Sequence, residues 1–164
     1  MKKIIFTALA FTLVLTNCKP ELKGELGVPF DKVKGLSGNW ELGAFAQRDE
    51  NNPIKEIRDL SEFYIDGTSN PTLFNFNSSD MTYTVTPGPG KNFLNSGGTW
   101  RFDNAEFPTE LILEGSSDTL SLKLGTAPRE FDQTLKLEFP RFCVDALGVA
   151  TPTVTYIYTL NRAQ

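Results

Sequence analysis

The chain has 164 residues, with 16 Lys plus Arg against 20 Asp plus Glu and a formal net charge of −4. An acidic balance argues against nucleic acid and anionic lipid headgroups as partners. Histidine is absent, which removes the Ser-His-Asp arrangement, the commonest general base and the usual zinc and copper sites.

Met1-Lys2-Lys3 sets two positive charges ahead of Ile4 to Thr16, a run without a charge or a proline. A helix needs about 20 apolar residues to cross a bilayer core, so a run of about a dozen reads as a secretory signal and not as a span. The run ends in Leu15-Thr16-Asn17-Cys18, with the cysteine directly behind a large-x-polar triplet. This resembles the lipobox of bacterial lipoproteins, with Asn17 where Gly, Ala or Ser is usual. The resemblance implies that residues 1–17 are a signal peptide cut before Cys18. It also implies that the Cys18 thiol takes a diacylglycerol and that the new amino terminus is acylated, by palmitate or a similar chain.

Each buried methylene contributes about 0.8 kcal/mol, so several chains on one residue make a permanent membrane anchor. Lys19 after the cysteine resembles lipoproteins sent on to an outer membrane. Glu21 and Glu25 are similar to part of the acidic tract of surface-displayed ones. The expected location is the cell envelope, with the membrane face open.

The alternative for Cys18 is a disulfide with Cys143, the only other cysteine. With Cys18 lipidated, Cys143 has no partner. Its neighbours Phe142 and Val144 are apolar and no charged group adjoins it, so it reads as a small buried hydrophobe.

Loss of residues 1–17 leaves 147 residues, enough for one domain with a real core. Lys2 and Lys3 go with the signal, leaving 14 basic against 20 acidic residues, a net charge of −6. Residues 18–36, with two prolines and little periodicity, read as a flexible tether. About 18 such residues span roughly 25 Å as a random coil. The globular domain is expected over residues 37–164.

From Gly38 the apolar period is two, and the apolar residues are β-branched, aromatic or leucine, as half-buried strands require. In chain order the expected strands are Trp40–Leu42, Leu73–Phe76, Met81–Val85, Trp100–Phe102, Glu110–Leu113, Leu120–Leu124, Leu135–Phe139 and Val154–Leu160. Between them stand Pro87-Gly88-Pro89-Gly90, Ser96-Gly97-Gly98, Gly115-Ser116-Ser117-Asp118 and Gly125 to Pro128, all turn chemistry. Short links between neighbours predict an antiparallel meander. One stretch breaks the period: Ile54 to Phe63 has apolar residues at 54, 57, 60 and 63. It predicts either one or two helical turns across a barrel mouth or a charged connection covering an edge strand. Gly38 to Leu42 and Gly98 to Phe102 share a form, but their flanks do not align, so no repeat is inferred.

Eight alternating strands leave unpaired edges unless the sheet closes, and a closed barrel of this size holds either side chains or one small ligand. Gly38-Asn39-Trp40 opens the first strand, and Arg162 stands two residues past the last apolar position of the final one. This pattern resembles the lipocalins and wider calycins. The resemblance implies that Gly38, Trp40 and Arg162 close one barrel end, the basic side chain lying across the indole.

The stretch from Gly38 to Arg162 is similar to lipocalin-like domains of unknown function in Bacteroidota-type lipoproteins. The matching segments are Asp59-Leu60-Ser61, Leu73 to Phe76, Gly98 to Phe102 and Phe107-Pro108-Thr109. The Thr-Asp-Tyr motif of secreted lipocalins is absent, so retinoid-type transport is not implied.

Gly88-Pro89-Gly90-Lys91-Asn92 is a turn and not a phosphate loop, since Val85 and Asn92 stand where Gly and Ser or Thr are required. Asp103, Glu106, Glu110 and Glu114 cluster in sequence, but Glu110 and Glu114 share a strand face opposite Leu111 and Leu113, which reads as a solvated outer surface. Asp49 to Asn52 and Asp80 lack regular calcium-loop spacing. No metal, cofactor or catalytic residue is therefore expected, and a carboxylate-only enzyme is the weakest alternative.

Binding is the leading expectation. Phe76, Tyr83, Val85, Trp100, Phe102, Tyr156 and Tyr158 alternate onto one face, where they line a lumen or fill it as core. The ligand would be a small apolar molecule, or a glycan fragment stacked on Trp100 or Tyr83 at the mouth. In the alternative, the barrel is filled and an exposed apolar patch packs on a membrane-protein partner.

Overall fold

The computed structural model describes residues 29–65, 67 and 70–163. The signal, Cys18 and most of the tether lie outside the described residues.

The folded domain is an eight-stranded antiparallel β-barrel with one extra strand. Its elements are α1 (Lys32–Leu36), β1 (Gly38–Asp49), β2 (Ile57–Asp59), β3 (Leu73–Asn77), β4 (Thr82–Thr86), β5 (Gly97–Phe102), β6 (Glu110–Glu114), β7 (Thr119–Leu124), β8 (Thr134–Val144) and β9 (Ala150–Arg162). Each strand from β3 to β9 pairs with the next, and β1 closes the barrel against β9 from Trp40↔Arg162 to Asp49↔Val154. Closure removes the edges that an open sheet would expose.

The alternation read from the sequence sets which side chains fill the interior. Phe74 and Phe76 on β3, Tyr83 and Val85 on β4, Leu111 and Leu113 on β6 and Leu135, Leu137 and Phe139 on β8 are buried, while their immediate neighbours face out. In β1 the register with β9 shifts between Leu42 and Ala44. A bulge there lets the long strand bend, so that Trp40, Leu42 and Phe45 all reach the core.

The Ile54 to Phe63 stretch is not a helix across the mouth. Ile57–Asp59 is β2, paired with Ala46–Arg48 of β1, and only Ser61–Phe63 makes a single 3₁₀ turn. Ile54, Ile57 and Phe63 are exposed, so the helical spacing has no surface to bury against and backbone pairing decides the conformation.

The folded unit also reaches back into residues that the sequence assigns to the tether. Asp31 accepts from the backbone N–H groups of Val33 and Lys34 and caps α1, and Leu36 at its end is fully buried. A Cβ on Gly35 would lie 2.6 Å from the carbonyl carbon of Pro128, so only glycine lets α1 lie against the β7–β8 loop.

Cys143 is exposed, contrary to its expected burial. Beyond Phe139, β8 no longer lies beside β7, so alternation there meets solvent instead of core.

Candidate functional site

Among the sequence-designated lumen residues, Phe76, Tyr83, Trp100 and Tyr158 are at most 5% exposed, and Phe102 and Tyr156 are partly buried against the same cluster. They form core rather than a cavity lining. A void large enough for water would leave accessible surface on its walls, and Trp40, Phe45, Phe74, Leu111, Leu122 and Leu160 show at most 1%. The interior is filled. Trp100 and Tyr83 accordingly offer no platform for a sugar at the mouth. Trp100 donates its indole N–H to the Asn77 carbonyl at 3.2 Å. The Tyr83 hydroxyl is buried, and that burial raises its pKa against the opposing effect of the nearby Asn95 side chain.

The two barrel ends are sealed differently. At the end where β1 begins, Gly38 takes φ +115°, a conformation open to glycine, and turns the chain from α1 into β1. The Arg162 guanidinium lies 4.3 Å from the Trp40 ring centroid. Arg162 also donates to the carbonyls of Asp132, Ser37 and Gly35 at 3.1, 3.0 and 2.8 Å, and Trp40 donates its indole N–H to Leu36 at 2.8 Å. A planar fork that stacks and donates at once is a task for Arg and not Lys.

At the opposite end the β4–β5 loop folds inward. Phe93 stacks on Tyr156 at 4.3 Å, Phe45 meets Tyr64 at 4.1 Å, and Leu94 is buried beside them. Burial raises the pKa of Tyr64 and of Tyr158. Beneath the loop remains a pocket of about 10 Å³, bounded by Tyr64, Thr72 and Tyr158, room for about one water.

An open groove lies outside the barrel. β7 and β8 pair only at Lys123↔Glu138 and Leu124↔Leu137, whereas β8 stays paired with β9 out to Val144↔Ala150. The β8–β9 hairpin thus leaves the barrel wall and opens a groove of about 290 Å³ flanked by Leu120, Lys123, Phe139, Pro140 and Phe142. Pro140 carries no N–H, and proline on a free strand edge discourages unspecific edge pairing.

Past the groove the hairpin tip presents Phe142, Val144, Leu147 and Val149, with Val144 66% and Leu147 89% exposed. The tip is built and not frayed. Asp145 Oδ1 accepts from the N–H groups of Leu147 and Val149 at 2.8 and 2.9 Å, and the Asp145 and Val149 backbones bond at 3.1 Å.

A polar clamp supports the hairpin base. Arg48 bonds Glu50 at 2.7 Å and Glu138 at 2.9 Å, reaching across β9, and Lys55 and Thr155 each meet Glu50 at 2.7 Å. Lys55, Thr155 and Arg48, in that order, hold the Glu50 carboxyl down to about pKa 2. Burial pushes Glu138 up, but its bonds to Arg48 and Lys136 outweigh that and keep it below its ordinary value. Thr155 and Ile157, on the outer face of β9, are buried beneath this clamp.

Of the carboxylates weighed for chemistry, Asp103, Glu110 and Glu114 are engaged elsewhere. Asp103 accepts from Thr109 and from the N–H of Glu110, Glu114 pairs with Arg101 at 2.9 Å, and Glu110 accepts from Ser121. Asp80 caps its own turn through Thr82. Among the described residues no group of three His, Cys, Asp or Glu side chains is arranged to hold a metal ion, and no helix is long and apolar enough to cross a membrane.

Sequence reasoning missed the hairpin tip and the clamp. The tip had a signal in Pro140 and Pro152, since proline is foreign to central strands. The clamp had none, because Arg48 and Glu138 stand 90 positions apart.

No protein-family model matches the chain, and no curated protein matches it.

Proposed function

We propose that this chain is a lipid-anchored, non-catalytic binding module of a bacterial cell envelope, a lipocalin-like accessory that packs on a membrane-protein partner. The observation that carries this reading is the pairing of a filled interior with a preformed apolar hairpin tip. A barrel without a lumen has no internal ligand space, and exposed apolar clusters on ordered elements are surfaces that association buries. The anchor at Cys18 and an outer-membrane location rest on the lipobox resemblance. The Arg162–Trp40 seal supports the lipocalin-like one.

The groove between β7 and β8 favours a second reading, in which a small apolar molecule binds on the outside of the barrel against Phe139 and Phe142.

The test is site-specific photocrosslinking in intact cells, with the reactive group introduced in place of Leu147 or, as a control on the barrel wall, Leu73. The proposal expects one discrete crosslinked protein from position 147, none from 73, and loss of the product when Val144→Asp is added. Crosslinks of equal yield from both positions, or none from either, would count against it.

A further inference from the structure

We infer that the barrel end sealed by Trp40 and Arg162 seats on a zwitterionic bilayer interface through Phe30, Phe107 and Phe131. The inference rests on the lipid anchor proposed above and adds to it an orientation and a contact surface.

Antiparallel alternation gathers the segment before α1, the β5–β6 loop and the β7–β8 loop at one end of the barrel. Each presents one phenylalanine: Phe107 is 72% exposed, Phe131 68%, and Phe30 39%. The loops that carry them are held firmly. Asn104 accepts from the backbone N–H groups of Glu106 and Phe107, and Asp103 from those of Thr109 and Glu110. Arg129 and Asp132 close the turn around Phe131 through a backbone bond at 3.0 Å and a side-chain bond at 2.9 Å. Loop backbones fixed in this way lose little conformational freedom on entering an interface.

Cations accompany the rings. The Arg129 guanidinium lies 4.9 Å from the Phe30 ring and 5.8 Å from that of Phe131, and the Lys32 ammonium lies 5.3 Å from Phe30. Phenylalanine rings entering the headgroup boundary, with long cationic side chains reaching phosphate, are an arrangement seen where proteins meet bilayer surfaces. Asp31, Glu106, Glu130 and Asp132 stand on the same rim. Their charge opposes a strongly anionic surface and commits the contact to zwitterionic lipid.

Chain length supports the same geometry. Ten residues, 19 to 28, lie between Cys18 and the first described residue, Pro29. They reach about 35 Å at most, so the anchor stays tied to Pro29 and the end that carries it. β9 runs for 13 residues from hairpin to seal, about 40 Å of strand and about 30 Å of axis at ordinary barrel tilt. An anchor at Cys18 is therefore joined to the domain at this end, with the hairpin tip at the far one.

The experiment uses the full lipidated chain in phosphatidylcholine vesicles with and without brominated phosphatidylcholine. Phe131→Trp, Phe107→Trp and Leu147→Trp are compared with the unsubstituted protein, whose Trp40 and Trp100 supply the background. The two rim variants should lose most of their added emission to bromine and shift to shorter wavelength, and Leu147→Trp should do neither. Quenching of Leu147→Trp instead, or of none, would overturn the seating, as would a rim covered by protein or by a second copy. Intact mass separates the two levels of the claim. A chain without lipid that stays out of vesicles defeats the anchor, and the inference with it. A lipidated chain with unquenched rim variants defeats the seating alone.

Discussion

At one end of the barrel a single guanidinium stacks on an indole and gathers three backbone carbonyls. At the other, rings from β1, β9 and the connecting loops stack on one another, and a hairpin runs past them into solvent. The first end draws on side chains whose bonding is complete once the domain has folded. The second leaves Leu147 and Val149 exposed on an ordered turn. Stability should therefore be concentrated at the sealed end, and association with protein at the hairpin.

Truncation at the seal should cost most. Trp40→Ala removes a fully buried indole and should lower unfolding free energy by about 3–5 kcal/mol, measured by urea denaturation. Arg162→Ala should cost about 2–3 kcal/mol, because three carbonyls lose a charged donor. Phe93→Ala, at the half-buried mouth, should cost about 1–2 kcal/mol. If Phe93→Ala proves as damaging as Trp40→Ala, the asymmetry between the ends is lost.

The clamp gives a pH signature. Glu50 has a native pKa of about 2 against an ordinary 4.5, and that of Glu138 is also lowered. A carboxyl depressed in the folded state contributes stability that is complete above its unfolded pKa and fades as pH falls through its folded one. The contribution from Glu50 should thus be present above about pH 4.5 and disappear toward pH 2. Glu50→Gln should flatten this part of the curve, and a parallel decline in parent and variant would rule the clamp out as its cause.

The smallest effect is expected at the tip. Leu147→Ser should change stability by less than about 0.5 kcal/mol, while removing the crosslink formed by a probe at a neighbouring tip position.

Much of the barrel was legible in the sequence because one physical rule, alternation against a core, governs nearly all of it. The strands at Leu73–Phe76 and Leu135–Phe139 needed nothing more. Trp40 and Arg162 were legible through a resemblance and not through spacing, for nothing local ties a residue to one 122 positions away.

The rule misled where its premise lapsed. Phe142-Cys143-Val144 is as apolar as a core strand, but past Phe139 there is no core beside it, and apolarity there signifies a surface. The division between lumen and core was not legible either, since Tyr83 and Trp100 have the same pattern in both cases. Only the volumes of facing side chains decide, and those depend on shear and register.

The filled interior is the central feature of the molecule. Native mass spectrometry of the lipid-anchored chain, purified from its own host with extraction of anything bound, tests it directly. The mass expected is that of the processed, lipidated polypeptide with no further small molecule. A stoichiometric adduct that persists in a Phe142→Ser variant, where the outer groove is altered, would put a ligand inside the barrel and contradict it.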